Sequence, residues 1–273
     1  MRVSLIVTTY ERPDALARVL ASVERQCVAP DEVLIADDGS SGPTQLTVAE
    51  FACRWPHQVE HLWQPHDGFG AGRARNRAIA RATGEYVVLI DGDMILHPQF
   101  IADHRAAATP GRYLQGTRIL LDAEHTAQIL AGETAALTGP MAPGIGGRRR
   151  IYAIHSGLGS RMLRRVANTF VAIKSCNQGF WRSDLIRVNG FNESMTGWGY
   201  EDKELCARLE RAGVKRRTLI FGAIAWHLHH PPAERSMVEC NRQIYERTLA
   251  EPRVRAELGI SACNGDAEAI ERR

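Results

Sequence analysis

The stretch that most restricts what this chain can fold into is Glu85–Met94, Glu-Tyr-Val-Val-Leu-Ile-Asp-Gly-Asp-Met. Its apolar residues run on without alternating with polar ones, the pattern of a strand covered on both faces in a parallel sheet flanked by helices. In such sheets ligands collect beyond the carboxyl ends of the strands, where Asp91 and Asp93 would stand. Residues two apart on a strand point the same way. If strand geometry persists, both carboxylates face one site, and Gly92 leaves room for a ligand to approach the backbone. Two hard oxygen donors there suit Mg²⁺ or Mn²⁺ carrying a diphosphate. A solvated Asp-Gly turn is the competing reading.

The surrounding pattern supplies the rest of such a sheet. Val3–Thr9 reads as a strand, with Pro13 at the first turn of a helix whose Leu16, Val19, Leu20 and Val23 form an apolar stripe. Glu32–Ala36 is a second strand, Thr44–Arg54 a second helix packing through Leu46, Val48, Phe51 and Ala52, and Val59–Gln64 a weaker strand. A glycine-rich loop from His66 then enters a helix that Gly84 is expected to cap. Strand and helix alternating in this way predict a single α/β domain with a mostly parallel sheet.

Beyond Asp93 the expected elements are a strand over Arg112–Leu121, helices over Ser183–Val188 and Tyr200–Ala212, and a strand over Thr218–Trp226. Asp122–Ser160 has weak periodicity, so residues 122–165 read as a long mobile insertion of the kind that serves as a lid or binding loop. The expected organisation is residues 1–110 as one half, 111–235 as a second, and 236–273 as a terminal helical tail with frayed ends.

Bulk properties exclude several classes. A composition of 44% hydrophobic and 24% charged residues is that of a globular protein able to bury a full core. No apolar run approaches the roughly 20 residues needed to cross a bilayer, and the amino terminus lacks a signal-peptide cleavage region; a cytoplasmic protein is the expectation. A net charge of +3 does not imply nucleic acid. The six cysteines show neither a Cys-x-x-Cys pair nor a disulfide-framework spacing, so they read as reduced thiols.

Several residues beyond the two aspartates have chemistry to offer. Thr8, Tyr10 and Glu11 close one strand and Asp38 its neighbour, and together they can form a base and ribose pocket; turn residues are the alternative. The glycine loop could cradle phosphate with backbone N–H groups, aided by Arg73, Arg75 or Arg77, or be a turn with a solvated arginine face. Gly197-Trp198-Gly199-Tyr200-Glu201-Asp202 is more specific: the glycines allow close backbone approach, Trp198 offers a wall for a sugar ring, and the carboxylates open a helix. Helix-dipole complementation accounts for Glu201 and Asp202 but not for Gly-Trp-Gly. His227, His229 and His230 follow a strand, where a neutral imidazole can complete a metal site with carboxylates.

Taken together, Val7–Arg12, Ala36–Ser40, Gly72–Arg77, Gly84–Tyr86 and Asp91-Gly92-Asp93 resemble the inverting GT-A glycosyltransferases of family 2. Asn177–Arg182, Gly190–Glu193 and Gly197–Asp202 resemble the C-terminal module of β-1,4-galactosyltransferases, with Asn192 and Tyr200 standing where aspartate and glycine are commoner. The resemblance implies a Rossmann-like mixed, mostly parallel sheet with a nucleotide-sugar-binding half and an acceptor-binding half. It implies a nucleotide-sugar site from Thr8, Tyr10, Glu11, Asp38, Arg75, Asn76, Asp91, Gly92 and Trp198, and Mn²⁺ or Mg²⁺ on Asp93 with His227, His229 being the fallback. Asp202 corresponds to the catalytic base and Glu201 to a residue touching a sugar. The implied reaction is transfer of a sugar from a nucleoside diphosphate, UDP above all, to a hydroxyl of a glycan or lipid-linked acceptor in bacterial polysaccharide or lipopolysaccharide synthesis. A nucleotidyltransferase and a non-catalytic nucleotide-sugar binder are the rival classes. The arginines of the insertion, with Arg161-Met-Leu-Arg-Arg, suit peripheral contact with an anionic membrane, and a solvated basic loop is the alternative.

Overall fold

The computed structural model describes residues 1–132, 141, 144–145, 147–163, 165–167, 173–232 and 234–261. Seven consecutive buried residues form β1 (Val3–Thr9), and Pro13 opens α1 (Pro13–Glu24). The chain continues through β2 (Glu32–Asp37), α2 (Gly42–Arg54), β3 (Gln58–Trp63), α3 (Ala71–Arg81), β4 (Tyr86–Asp91) and β5 (Met94–Leu96). Next come α4 (Phe100–Ala107), β6 (Arg112–Gln115), β7 (Thr117–Leu120) and α5 (Ala123–Leu130). After a 3-10 turn at Gly147–Ala153 follow α6 (Gly157–Met162), β8 (Arg165–Ala167), β9 (Asn177–Trp181), α7 (Arg182–Arg187), α8 (Glu201–Arg211), β10 (Lys215–Thr218), β11 (Ile224–His227) and α9 (Val238–Ala250).

Eight strands form one sheet in the order β3-β2-β1-β4-β9-β6-β10-β8, and β5-β11-β7 form a second. β1 is parallel to both β2 and β4, and β2 to β3; β9 enters antiparallel between β4 and β6. The direction of winding reverses on passing from β3 to β4, so the switch-point crevice opens at the carboxyl ends of β1 and β4. There Thr8 lies in register with Asp91.

Alternate residues of the central strands feed two cores. Leu5, Val7, Val33, Ile35, Val88 and Ile90 pack with α1, α2 and the small sheet, whereas Ile6, Leu34, Val87 and Leu89 pack with α3 and α8. Each such side chain contributes about 1.5–3 kcal/mol over leaving it in water. With both faces covered, a polar residue inside β4 would have no outlet, which accounts for the unbroken apolar run.

Several boundaries differ from the sequence expectation for steric reasons. Gly84 does not cap α3, which ends at Arg81. Its N–H donates to Ser4 Oγ at 2.9 Å, and an added Cβ would lie 2.7 Å from the Ser4 backbone nitrogen, so the glycine permits strand approach. The stretch Arg112–Leu121 divides at Gly116 into β6 and β7, which join different sheets. Likewise Thr218–Trp226 is split by a turn with Phe221 and Ala223 at positive φ. Leu46 is exposed, leaving Val48 and Phe51 to anchor α2.

The insertion at 122–165 holds more regular structure than its weak periodicity suggested. Asp122 caps α5 by accepting from His125 N–H, and Ser156 caps α6 by accepting from Gly159 N–H. Residues 133–140, 142–143, 146 and 164, also assigned to it, lie outside the described residues. In the segment after 236, α9 packs on α8, Thr248 Oγ1 donates to Glu204, and Ile260 is buried in the second core. Residues 262–273 lie outside the described set.

Candidate active site

β4 ends at Asp91, and Gly92 and Asp93 turn into β5, so the two carboxylates are brought together by a turn instead of a continuous strand. Gly92 serves this turn. Its N–H donates to Thr8 O at 2.7 Å, and a Cβ would lie 3.0 Å from that oxygen and 3.1 Å from the Thr9 side chain. The space it leaves is therefore filled by β1, which corrects the expectation that a ligand would use it.

Asp91 pairs with Arg75 Nη2 at 2.8 Å, while Arg75 Nε donates to Thr8 Oγ1 at 3.1 Å. Arg75 is buried, stacks over the Phe191 ring at 5.3 Å, and has Nη1 buried without a hydrogen-bond partner. One guanidinium thus ties α3 to the ends of β1 and β4. Asn76, by contrast, is wholly buried. Its amide donates to Phe191 O at 2.9 Å and Glu193 Oε1 at 2.8 Å and accepts from Phe191 N–H at 2.8 Å. No part of that amide is left for a nucleotide, so the expected ligand contact from Asn76 is corrected to a clamp between α3 and the Gly190–Glu193 loop.

Asp93 faces the histidines. Its Oδ1 lies 3.7 Å from His227 Nε2 and its Oδ2 3.4 Å from His230 Nε2, with Arg12 Nη1 also at 3.4 Å. Donor atoms of Asp93, His227 and His230 all fall within 4.8 Å of one another. Burial first, and then the Asp91 charge, push the Asp93 carboxyl up to about 6, against the pull of His230, Arg12 and Arg118. Burial also drives the His227 imidazole down to about 3, with Arg118 adding to it, so the ring is neutral and free to donate a lone pair at ordinary pH. A buried Asp93 Oδ1 without a hydrogen-bond partner completes a donor set suited to a divalent cation. His230, and not the fallback donor His229, lies in this group. The backbone after β11 leaves His229 exposed, with its N–H on Thr126 Oγ1 at 2.8 Å.

The second half brings Asp202 to the same region. Tyr200 precedes α8 in the left-handed conformation, φ +71°, held between Lys203 Nζ at 4.5 Å and the Tyr245 ring at 5.5 Å. Such strain in a non-glycine residue persists only where its surroundings impose it. Asp202 accepts from Lys203 N–H at 2.7 Å and Ser175 N–H at 3.3 Å. Burial and then Glu201 raise it to about 7, opposed by those N–H groups and by the Arg75 charge. Arg75 therefore acts on Asp91 by contact and on Asp202 through space. Cys176, next to Ser175, feels the charges of both Asp91 and Asp93. Glu201 accepts from Gly199 N–H at 3.0 Å, and Trp198 stands exposed with Arg235 5.4 Å from its ring.

The remaining expected nucleotide contacts cluster at the ends of β1 and β2. Tyr10 is exposed and stacks on His66 at 4.1 Å. Glu11, at φ +47°, accepts from Ser41 N–H and Oγ. Asp38 accepts from Gln64 Nε2 and Gly70 N–H, both at 2.7 Å, so it holds the glycine loop in place, and burial raises its pKa. A cavity of ≈330 Å³ lies beside it, lined by Gln64, Phe69, Arg73, Glu193 and Met195 among others. Arg118 and Lys174, which with Arg12 set the field around Asp93 and His227, had no sequence signal beyond being single basic residues, whereas Arg12 closes the Val7–Arg12 motif.

A parallel half wound 3-2-1-4, an Asp-x-Asp turn at its switch point, and a second half that delivers histidines and a raised carboxylic acid to that turn define a GT-A architecture. Residues 4–128 match the family model for glycosyl transferase family 2, and residues 165–231 match that for the N-terminal domain of galactosyltransferase. Over residues 4–128 the chain thus carries the glycosyl transferase family 2 domain. It is 27% identical to the chondroitin synthase of Escherichia coli over 85% of this chain and 35% of that one. The hyaluronan synthase of Pasteurella multocida is 28% identical over 85% of this chain and 25% of its own length. The validoxylamine A glucosyltransferase of Streptomyces hygroscopicus subsp. limoneus is 26% identical over 88% and 55%. The chain thus spans about a quarter to about half of the length of these relatives. Among solved structures, Staphylococcus aureus TarS residues 1–349 in complex with UDP has a TM-score of 0.65 at 18% identity, covering 96% of this chain and 68% of that one. The Pyrobaculum calidifontis mannosyltransferase PcManGT, in complex with GDP-Man and Mn²⁺, gives 0.55 at 15%, covering 100% and 81%. At these identities the two structures speak for the fold.

Proposed function

We propose that this chain transfers a sugar from a nucleoside-diphosphate sugar, UDP-linked, to a hydroxyl of a glycan or lipid-linked acceptor, with inversion, in bacterial polysaccharide synthesis. The observation that carries the reading is the grouping of Asp93, His227 and His230 as one donor set, together with a half-buried Asp202 whose carboxyl is raised to about 7 and feels the charge of Arg75, the partner of Asp91. Kinship with chondroitin and hyaluronan synthases and the UDP held by TarS support the polysaccharide role and the UDP donor.

Asp202 is the general base. Near pH 7 it is balanced between its two forms, the condition under which a base both exists ionised and accepts a proton well. It takes the acceptor's hydroxyl proton as the oxygen bonds to the anomeric carbon, and the bond from that carbon to the diphosphate breaks with its electron pair on the departing oxygen. Arg75 keeps Asp91 oriented at the switch point, Trp198 offers a face for a sugar ring, and Tyr10 and Glu11 border the nucleotide end. A divalent cation held by Asp93, His227 and His230 would neutralise charge on the departing diphosphate.

The test is product analysis with a panel of nucleotide sugars, Mn²⁺ and candidate acceptors. Release of UDP together with a glycoside of inverted anomeric configuration is expected. Pyrophosphate among the products would instead assign a nucleotidyltransferase, and binding without turnover by any donor and acceptor would assign a binder.

A further inference from the structure

We infer that the segment from Ile151 to Leu163 docks the protein onto an anionic lipid bilayer. α6 carries its apolar side chains on the wrong side for a core helix. The face turned to the protein is made of small residues: Ser160 is buried against Gly222, and a Cβ on Gly159 would lie 3.1 Å from the Phe221 ring. Ser156 N–H fixes this orientation by donating to Phe221 O at 2.9 Å. Leu158 and Met162, one helical turn apart and so on one face, are left 72% and 75% exposed. Ile151, Tyr152, Ile154 and Leu163 are exposed beside them in the chain. Monomeric soluble proteins rarely leave such a group of large apolar side chains in water, and one rimmed by charge marks a docking surface.

The charge of the segment selects the occupant. From Thr134 to Ser183 the sequence contains no aspartate or glutamate, and Arg148, Arg149, Arg150, Arg161, Arg164 and Arg165 fall within it. Arg150 and Arg161 are exposed, and two copies of so uniformly basic a segment would repel each other. Basic residues in the same stretch of chain as exposed leucine, isoleucine and tyrosine instead match the two terms of interfacial binding: apolar insertion and attraction to acidic headgroups. Placement suits this too. The 3-10 turn contacts β7, and β7 is hydrogen-bonded to β11, which ends at His227. The segment is thus linked through β7 to the strand that ends in His227.

Sedimentation of the full chain with vesicles tests this. Binding is expected to vesicles of phosphatidylcholine mixed with phosphatidylglycerol, weakened by salt, and not to phosphatidylcholine alone. The double variant Leu158→Asp/Met162→Asp should lower the partition coefficient about tenfold or more, and Arg161→Gln should lower it several-fold (about 1 kcal/mol for the one charge). Since these side chains project into water, circular dichroism should confirm unchanged folding. Equal binding to both vesicle types, no binding to either, or wild-type binding by the double variant would overturn the inference. A dimer in light scattering that the double variant converts to a monomer would do so as well, assigning the surface to a second copy. Vesicle binding is read without turnover, so its result stands apart from that of the product analysis.

Discussion

Replacing Asp202 with asparagine should stabilise the fold at pH 8 while removing turnover. The carboxyl is raised from 3.8 to about 7, chiefly by burial and next by Glu201. That rise corresponds to about 4 kcal/mol of cost for holding the charged form in the native state. Partial solvent access of the side chain screens some of it. Asparagine also weakens the hydrogen bonds from Lys203 and Ser175, which contribute about 1 kcal/mol each. A net gain of about 1–2 kcal/mol at pH 8 remains.

The pH dependence is distinctive. Below about pH 4 Asp202 is protonated both folded and unfolded, so its contribution is intact. Between about pH 4 and 7 the unfolded chain releases the proton while the folded chain keeps it, and wild-type stability falls. Above about 7 both are ionised and the loss is complete. The advantage of Asp202→Asn should therefore be absent near pH 4, grow to pH 7 and level off. Asp93 titrates in both proteins and cancels in the comparison. Urea unfolding of the two proteins across pH 4–9 reads the difference directly. A difference independent of pH, or an asparagine variant that is the less stable at pH 8, would refute the claim that Asp202 is held at a raised pKa. Turnover by the same variant should fall by about 10²–10⁴-fold with donor affinity kept, and wild-type kcat should rise with pH through about 7.

Asp93→Ala should abolish any rise in Tm on adding Mn²⁺ and any Mn²⁺-dependent gain in UDP affinity by calorimetry; UDP affinity unchanged from wild type would remove Asp93 from the metal role. His230→Ala should weaken Mn²⁺ binding by about tenfold or more, while His229→Ala leaves it near wild type, and the reverse order would restore the fallback that the family resemblance implied. Arg208→Ala should destabilise by about 3–5 kcal/mol in urea unfolding, because it leaves Glu204, itself 1% exposed, as an unpaired buried charge; a loss under about 1 kcal/mol would contradict that.

The central sheet was legible because both faces of β4 are covered, and a doubly buried strand leaves an unbroken apolar run that few other structures require. Asp93, His227 and Asp202 were legible as candidates for a related reason: each stands at the end of an element whose pattern was itself readable. What escaped were properties of chain packing. Gly84 and Gly92 look like a cap and a ligand clearance in one dimension, but β1 occupies the volume beside each. Asn76 sits one residue from Arg75, yet a helix turns neighbours about 100° apart, so one reaches Asp91 and the other the backbone of Phe191 and the Glu193 carboxylate. The choice between His229 and His230 depends on how the backbone leaves β11, and spacing alone carries no information about that. α5 was missed because its buried side is little more than Thr126 and Ile129, too narrow a stripe to stand out as periodicity.

The most direct test of a single transfer cleft is anomalous diffraction from crystals of the chain grown with Mn²⁺ and UDP. The account predicts one manganese peak bonded to Asp93, His227 and His230, with the diphosphate on it and Asp202 facing the space beyond the terminal phosphate. A manganese peak on other residues, or UDP bound away from the ends of β1 and β4, would contradict it.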